Sequence, residues 1–183
     1  MKISLLGDSI RLIGYGTKIS EYLSNAEIFQ PTDNCRFAKY TLRGLFDWRE
    51  QLADSDVIHW NNGLWDACVI LPDGKPFTEI DEYVENLKRI ASILLSITPN
   101  VIFATTTPVR DANVYNKNSI IEEYNKRAAE ALIPMGVTVN DLYTAVASDI
   151  NRYIREDDNI HLTDDGISLC ASLVADKIKK ISE

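Results

Sequence analysis

The segment Ile3-Ser4-Leu5-Leu6-Gly7-Asp8-Ser9-Ile10 decides how the rest of the chain is interpreted. Its first half, Ile3 to Leu6, is a short and mostly apolar run that is typical of a buried β-strand, and Gly7 permits a tight turn after it. A serine at such a turn exposes its hydroxyl, and its own N–H can face a developing oxyanion. Because Asp8 or Ser9 could equally be the cap of a helix, the turn alone does not identify a nucleophile.

A serine nucleophile needs a base whose pKa lies near neutrality, and the chain contains two histidines. His59 lies between apolar residues in an apparent strand, which favours a packed core residue. His161 follows Asp158 by three residues in a polar loop, where the carboxylate can bind Nδ1 and leave Nε2 free. An isolated Asp-x-x-His beside an acidic run also fits an ordinary surface loop. Taken with the Ser9 turn, the pair predicts a Ser9-His161-Asp158 triad.

The bulk composition limits the class of protein. With 183 residues the chain is long enough for one sizeable core, so we expect a single domain over residues 1–183. Hydrophobic residues make up 45% and charged residues 25%, which is typical of globular proteins. The formal charge of -8 and the lack of a basic cluster argue against nucleic acid as a partner.

The cysteines and the N-terminus indicate the compartment. Cys35, Cys68 and Cys170 are odd in number and form no Cys-x-x-Cys pair, which argues against a disulfide framework and a structural zinc site. The apolar run at the N-terminus is too short for a signal peptide, and no stretch is long enough to span a bilayer. We therefore expect a cytoplasmic protein with no metal and no membrane partner, while the sequence does not indicate the oligomeric state.

Short apolar runs alternate with longer segments of helical periodicity, which predicts a parallel sheet covered by helices on both faces. The predicted strands are Ile3–Leu6, Ala26–Phe29, Val57–Trp60, Val101–Thr105 and Val137–Val139. The predicted helices are Ile10–Asn25 with an irregular first half, Tyr40–Leu52, Glu79–Ile97, Ser119–Leu132 and a last helix after the N-cap Thr163.

Candidate polar groups follow three of the predicted strands, at the sheet edge where ligands bind in this class. Ser9 follows the first strand, Asn61 and Asn62 follow the third, and Pro108 follows the fourth. Asparagine amides at a strand end can donate to an oxyanion, although an Asn-Asn-Gly sequence also fits an ordinary turn. The candidate groups therefore gather on one edge.

Two loops are candidates for binding substrate. They run from Gly63 to Thr78 and from Pro108 to Asn118, and loops this long in a compact domain are often functional. Trp65 and Tyr115 lie in these loops and are candidates for lining a substrate pocket. Aromatic residues in loops are as often packing caps.

Three motifs, in this order along nearly the whole chain, resemble the SGNH/GDSL hydrolases. Gly7-Asp8-Ser9-Ile10 resembles block I of that family, the Asn/Gly-containing segment after the third strand resembles block III, and Asp158-x-x-His161 resembles block V. The resemblance implies an α/β fold, namely a flavodoxin-like three-layer α/β/α sandwich, here with a five-stranded parallel sheet. It also implies hydrolysis of acyl esters through an acyl-enzyme without a cofactor. In that scheme Ser9 is the nucleophile, His161 is the general base and then acid, and Asp158 orients His161.

The resemblance is weaker around the oxyanion hole. The family builds this hole from the serine N–H, a block II glycine N–H and a block III asparagine side chain. Here Trp65 stands where that asparagine belongs, so we assign the amide role to Asn62, with Asn61 as the fallback. The loop after the second strand contains no glycine, and the resemblance therefore leaves the N–H of Cys35 or Arg36 as the remaining donor.

Three functional interpretations follow. The leading one is a serine esterase that removes a small acyl group, with acetyl expected, from a carbohydrate or another small polar substrate; family analogy alone supplies the substrate. The alternative is a small-molecule or carbohydrate-binding protein in which the altered blocks II and III mark a decayed oxyanion hole. A nucleotide-binding flavodoxin-like protein is a third, but Gly14-Tyr15-Gly16 lacks a third glycine and lies about one helical turn too late to cradle a phosphate.

Overall fold

Five parallel strands form one sheet in the computed structural model, which describes residues 1–182. The strands are Lys2–Leu6 (β1), Glu27–Phe29 (β2), Val57–Asn61 (β3), Val101–Ala104 (β4) and Thr138–Asn140 (β5). They lie in the order β2-β1-β3-β4-β5, so the direction of winding reverses between β1 and β3. The loops that leave these two strands diverge and open a crevice at the carboxyl edge of the sheet. The predicted five-stranded parallel sheet is confirmed.

Helices cover both faces of this sheet. They are Ile19–Tyr22 (α1), Ala38–Asp47 (α2), Arg49–Leu52 (α3), Leu64–Ala67 (α4), Ile80–Leu95 (α5), Asn118–Leu132 (α6), Leu142–Ala147 (α7), Ile150–Tyr153 (α8) and Asp164–Ser182 (α9). On one face α2 packs on α5 and α5 packs on α6. On the other face α9 packs against α1, α7 and α8. The result is the predicted three-layer α/β/α sandwich.

The central strands are buried along their full length, which fixes the position of their carboxyl ends. Every residue of β3 and of β4 is buried, and in β1 only Lys2 is partly exposed. Each large aliphatic side chain buried in this way contributes about 1.5–3 kcal/mol to folding. Because Leu6 pairs in register with Trp60, the residues that follow β1 and β3 lie side by side.

The observed helices differ from the predicted ones near Gly16, at Trp48 and where a helix is very short. The predicted helix Ile10–Asn25 is a π-helical turn over Ile10–Gly14, a 3-10 turn over Tyr15–Thr17 and then α1. A Cβ at Gly16 would lie 2.6 Å from the Arg11 carbonyl oxygen, so the chain approaches itself too closely for a regular helix. The predicted helix Tyr40–Leu52 begins earlier, at Ala38, and breaks at Trp48 into α2 and α3. The sequence did not predict α4, α7 and α8, because four to six residues are too few to show a period.

A buried arginine ties the loop after β2 to the turn after β1. The Arg11 side chain is fully buried, and its guanidinium donates to the carbonyl oxygens of Pro31 (2.7 Å), Asp33 (2.8 Å) and Gly7 (3.0 Å). Each acceptor left without a donor would cost about 1–3 kcal/mol. Arg11 therefore fixes the distance between the two loops that follow neighbouring strands.

A buried carboxylate holds the start of α2. Asp66 lies in α4, is fully buried and accepts the Ala38 N–H at 3.0 and 3.2 Å through its two carboxylate oxygens. Ala38 is the first residue of α2, where backbone N–H groups lack helical partners. Burial raises the pKa of Asp66 from 3.8 to about 7. The loop from Asp33 to Phe37 is thus fastened at one end by Arg11 and at the other by Asp66.

Two further features of the described residues bear on compartment and chemistry. Over residues 1–182, none of the helices combines the length and the apolar character that crossing a bilayer requires. The three cysteine thiols are all buried and are not joined in disulfides.

We expect Asp66→Asn to change how stability depends on pH. Between pH 4 and 7 the folded protein holds a proton on Asp66 that the unfolded chain has released, so this contribution to stability is lost as the pH rises through 7. Asparagine does not titrate. Urea unfolding at pH 5 and pH 8 should therefore show the wild type losing on the order of 2 kcal/mol relative to Asp66→Asn. Asp176→Asn, at an exposed site in α9, is the control, and parallel curves for wild type and Asp66→Asn would contradict the account.

Candidate active site

Ser9 stands directly after β1, on a turn that other buried side chains hold in place. The neighbouring Asp8 is fully buried, and its Oδ1 accepts the Ile10 N–H and the Asn61 Nδ2 group, each at 2.9 Å. A Cβ at Gly7 would lie 2.0 Å from Asn61 Oδ1, so only glycine fits there. The π-helical turn begins at the next residue, Ile10, and such turns occur often at functional sites. The turn leaves the Ser9 side chain partly exposed.

The structure brings together the three residues predicted as a triad. Ser9 Oγ lies 2.9 Å from His161 Nε2, and His161 Nδ1 lies 2.9 Å from Asp158 Oδ2. The imidazole can therefore donate its Nδ1–H to the carboxylate and accept the serine hydroxyl proton at Nε2. The His161 and Asp158 side chains are 26% and 31% exposed, so the three groups meet at the protein surface.

The loop between Asp158 and His161 is closed by its own carboxylate. Asp158 Oδ1 accepts the backbone N–H groups of Ile160 (3.0 Å) and His161 (2.9 Å), while Asn159 between them takes a left-handed conformation with φ +62°. Burial opposes ionisation of Asp158, but these hydrogen bonds and the His161 side chain outweigh it and lower its pKa to about 2. The carboxylate is therefore ionised throughout the physiological range.

The same loop is anchored from both sides. The Arg155 N–H donates to the His161 carbonyl oxygen at 2.8 Å, which closes the base of the loop. Arg110, in the loop after β4, donates its N–H to the Asn159 carbonyl oxygen at 3.0 Å and its guanidinium to the Ile154 carbonyl oxygen at 2.9 Å. These contacts fix the loop in the position where His161 reaches Ser9.

Sequence reasoning did not identify Arg110 or Arg155. Arg110 acts through carbonyl groups, which no side-chain pattern reveals. Arg155 precedes Asp158 by three residues, a spacing that brings side chains together on one side of a turn, and its Nε lies 3.6 Å from Asp158 Oδ2. Its closer partner is Asp157, whose Oδ1 accepts from Nε at 2.8 Å. The spacing of opposite charges was the signal that could have indicated Arg155.

Of the predicted oxyanion donors, the Ser9 N–H is available. Within residues 1–182 it donates to no backbone or side-chain acceptor, although its neighbours Ile10 and Arg11 both do. Asn62 is fully buried, its Nδ2 group donates to the Arg36 carbonyl oxygen at 3.0 Å, and its Oδ1 accepts the Thr41 hydroxyl at 2.9 Å. An amide carries two N–H groups, and the Arg36 carbonyl takes one of them.

Two other predicted donors, the Cys35 N–H and the Asn61 side chain, have partners within the protein. The Cys35 N–H donates to the Gly7 carbonyl oxygen at 3.1 Å, so it joins the block II loop to the Ser9 turn and is not free for a ligand. The Asn61 side chain faces the interior, where its Nδ2 donates to Asp8 and its Oδ1 accepts the Tyr15 hydroxyl at 3.0 Å. Asn61 supports the turn behind Ser9. One N–H of its Nδ2 group is taken by Asp8, and its role as the fallback oxyanion donor stays a prediction.

Arg36, in the loop after β2 where the resemblance expects a block II glycine, has a backbone conformation that favours glycine. Its backbone is left-handed, with φ +47°, a conformation that glycine adopts freely and other residues adopt at a cost of about 1–2 kcal/mol. The Arg36 N–H donates to Asn34 Oδ1 at 2.8 Å, and its guanidinium lies over the Tyr40 ring at 4.9 Å. The Arg36 N–H, the other expected donor, is thus also occupied. Strained backbone of this kind is concentrated at functional sites.

The two predicted aromatic residues lie in adjoining loops. Trp65 is 40% and Tyr115 is 57% exposed. The Val69 N–H donates to the Tyr115 carbonyl oxygen at 2.7 Å, and Asn116 Nδ2 donates to the Leu64 carbonyl oxygen at 2.9 Å, so the loops are joined. Neither aromatic side chain lines the cavity beside Ser9, and their role in binding substrate stays a prediction.

A cavity of about 460 Å³ opens beside Ser9 and His161. The π-helical turn forms one wall, and the residues from Leu162 into α9 form the other. His59, the second histidine, lies elsewhere, in the middle of β3. It is fully buried, and burial lowers its pKa to about 3, so it is a neutral core residue as predicted. Among residues 1–182, His, Cys, Asp and Glu side chains form no group of three or more that could hold a metal ion.

Comparisons with known proteins find similarity at the level of structure. No family model and no curated protein sequence matches the chain. A lipase/acylhydrolase from Enterococcus faecalis superposes with a TM-score of 0.80 at 21% identity, over 98% of this chain and 95% of that chain. An acetyl xylan esterase superposes with a TM-score of 0.77 at 19% identity, over 98% of both chains. An acetylxylan esterase from Geobacillus stearothermophilus superposes with a TM-score of 0.74 at 14% identity, over 97% and 93%. The chain therefore has the SGNH/GDSL hydrolase fold.

Proposed function

We propose that the protein is a carboxylic ester hydrolase that works through a serine acyl-enzyme. The observation that carries the proposal is the unbroken hydrogen-bond chain from Asp158 through His161 to Ser9, with 2.9 Å at each step. A carboxylate that orients a histidine, which in turn contacts a serine hydroxyl, is the arrangement that activates serine for acyl transfer. The named activities of the similar structures, lipase/acylhydrolase and acetylxylan esterase, agree with this chemistry.

The proposed reaction has two half-reactions. Ser9 Oγ attacks the ester carbonyl carbon while its proton passes to His161 Nε2, and the negative charge gathers on the carbonyl oxygen. When this intermediate collapses, the bond to the alcohol oxygen breaks and His161 gives its proton to the departing alcohol. Water then attacks the acyl-enzyme with His161 again taking a proton, and collapse releases the acid and returns the proton to Ser9. Asp158 stays ionised throughout and stabilises the imidazolium.

The negative oxygen needs donors, and we assign this role to the Ser9 N–H and to the second N–H of Asn62 Nδ2. Asn62 is held rigidly, because Thr41 and Arg36 bind its side chain while Tyr83 and Thr106 donate to its carbonyl oxygen at 2.9 and 3.1 Å. A donor that cannot move away from the charge stabilises it without reorganisation. The occupied N–H groups of Cys35 and Arg36 leave the hole with two donors in place of three.

The acyl group and the alcohol are proposed from the similar structures. Two of the three are acetylxylan esterases by name, so we propose that this protein also removes a small acyl group, acetyl, from a carbohydrate or a comparable small polar alcohol. The support for this part is the likeness of fold.

Ser9→Ala should abolish hydrolysis of p-nitrophenyl acetate while leaving the fold intact, because the acyl-enzyme cannot form without the hydroxyl. Turnover is followed as release of p-nitrophenol, and circular dichroism checks the fold. Ser148→Ala removes an exposed hydroxyl at the end of α7 and should leave the rate unchanged. Undiminished turnover by Ser9→Ala would exclude the proposed nucleophile.

Asp158→Asn should lower kcat by roughly 10³- to 10⁴-fold, because an amide would donate to Nδ1 and place the imidazole proton on Nε2, where it can no longer accept from serine. The matched control is Asp157→Asn, which removes an exposed carboxylate next to Arg155 and should change kcat by less than about threefold. Steady-state kinetics on p-nitrophenyl acetate measure both. Equal effects of the two substitutions would show that Asp158 is not the orienting group.

Asn62→Asp tests the oxyanion donor, because aspartate keeps the acceptor for the Thr41 hydroxyl and removes the N–H groups. We expect kcat to fall by roughly 10²- to 10³-fold with KM within a few-fold of wild type, since the donor acts on charge that exists only in the transition state. A loss confined to KM, or no loss in a protein that unfolds at the wild-type temperature, would exclude Asn62 from the oxyanion hole.

A further inference from the structure

The cavity beside Ser9 is built by residues to which the proposed mechanism gives no role. Beyond Ser9 and His161, its walls include Ile13 in the π-helical turn and Asp164 and Ile167 in α9. Its volume, about 460 Å³, lies in the lower part of the range of small-molecule sites, which is roughly 300–1,000 Å³. The cavity is therefore large enough for more than an acetyl group.

The position of His161 decides which half of an ester the cavity receives. In the first half-reaction His161 Nε2 must hand its proton to the departing alcohol oxygen, so that oxygen lies within hydrogen-bond reach of Nε2. His161 and Ser9 both line the cavity, whereas Asn62 and Trp65 do not. With the carbonyl oxygen turned towards Asn62, the alcohol points into the cavity and the acyl group points away from it.

The walls indicate the chemistry of that alcohol. Ile10 and Leu162 form a buried aliphatic floor, and Ile13, which is 52% exposed, extends it to the rim. The polar side is formed by Arg155 and by Asp164, the first residue of α9. Within residues 1–182 no lysine or arginine lies within 4 Å of the Asp164 carboxylate. The cavity thus combines an aliphatic floor with one unpaired acceptor, the Asp164 carboxylate, and one donor, the Arg155 guanidinium. This combination fits a molecule that has a carbon face and several hydroxyl groups.

The charges argue against anionic alcohols. Arg155 is already paired with Asp157 and lies 3.6 Å from Asp158, so its charge is neutralised and does not attract an anion. Asp164 adds a negative charge that repels one.

We infer that this cavity is the subsite for the leaving alcohol, that it takes a polyol of about monosaccharide size without a negative charge, and that Ile13 and Asp164 determine its selectivity. This inference rests on the proposed ester hydrolysis and adds the location and the residues of one half of the substrate site. Ile13 contacts the carbon face of the polyol, and Asp164 accepts hydrogen bonds from its hydroxyls.

The test compares two esters that form the same acetyl-enzyme. Ethyl acetate has an alcohol too small to reach Ile13 or Asp164, whereas the sugar of 6-O-acetylglucose would fill the cavity. The measured quantity is the ratio of kcat/KM for the sugar ester to kcat/KM for ethyl acetate. Each kcat/KM covers binding and acylation, and the intrinsic reactivity of the two esters is the same for every variant. A change in the ratio between variants therefore reports recognition of the alcohol.

We expect Ile13→Trp, which fills the mouth of the cavity, and Asp164→Ala, which removes the acceptor, each to lower this ratio by about tenfold or more. Ile93→Trp, on the exposed side of α5, and Asp176→Ala, in the middle of α9, are the matched controls and should leave the ratio within twofold. An unchanged ratio for both test variants, in an enzyme that hydrolyses ethyl acetate, would overturn the subsite. Failure of the wild type to hydrolyse either ester would instead overturn the proposed function, and the subsite with it.

Discussion

The hydrogen bond between Ser9 Oγ and His161 Nε2 joins two loops that are 152 residues apart in sequence, and the rest of the site depends on it. The sheet supplies one end, because β1 is buried and delivers Ser9 to the crevice where the winding reverses. The loop from Asp158 to His161 supplies the other end. The Asp158 side chain closes that loop, and Arg110 joins it to the loop after β4. Acyl transfer requires both the serine hydroxyl and the histidine base.

Buried polar side chains fix the loop after β2, which lies next to the turn that carries Ser9. Arg11 and Asp66 are buried polar groups whose partners are mostly main-chain atoms, and each fastens one end of the loop after β2. Arg36, in that loop, has the left-handed backbone that a glycine would favour. The loop is thus held by side chains at its ends, and these contacts offset the strain of the Arg36 backbone in its middle. The N–H groups of Cys35 and Arg36 are used within the protein, which leaves the Ser9 N–H as the main-chain donor in the proposed oxyanion hole.

The sequence could predict the sheet and the triad for a physical reason. Buried parallel strands leave continuous apolar runs, and helices longer than three turns leave a clear period, so β1, β3, β4, α5 and α9 are visible in the sequence. Ser9, Asp158 and His161 could be predicted because each lies in a short local motif and because the chain contains only two histidines that could serve as the base. In the structure Ser9 Oγ and Asp158 Oδ2 each lie 2.9 Å from a ring nitrogen of His161, while the catalytic roles of the three residues remain part of the proposal.

The surroundings of the triad could not be predicted, because they depend on main-chain partners. Nothing in Cys35 or Asn61 as residue types shows that one donates its N–H to Gly7 and that the other faces Asp8 and Tyr15. Arg110 likewise acts on carbonyl groups of a distant loop. The cavity beside Ser9 lies between a π-helical turn and the start of α9. Hydrophobic periodicity predicts helices and strands, but it does not show where a space remains between two of them.

The most direct measurement of the central claim is covalent labelling with a fluorophosphonate, followed by mass spectrometry of the peptides. This probe reacts only with a serine that a neighbouring base has activated. The account predicts one label on Ser9 in the wild-type protein and its loss in a folded His161→Ala variant. A well-folded wild-type protein that remains unlabelled, or labelling that persists without His161, would contradict the account and favour a protein that binds small molecules without catalysis.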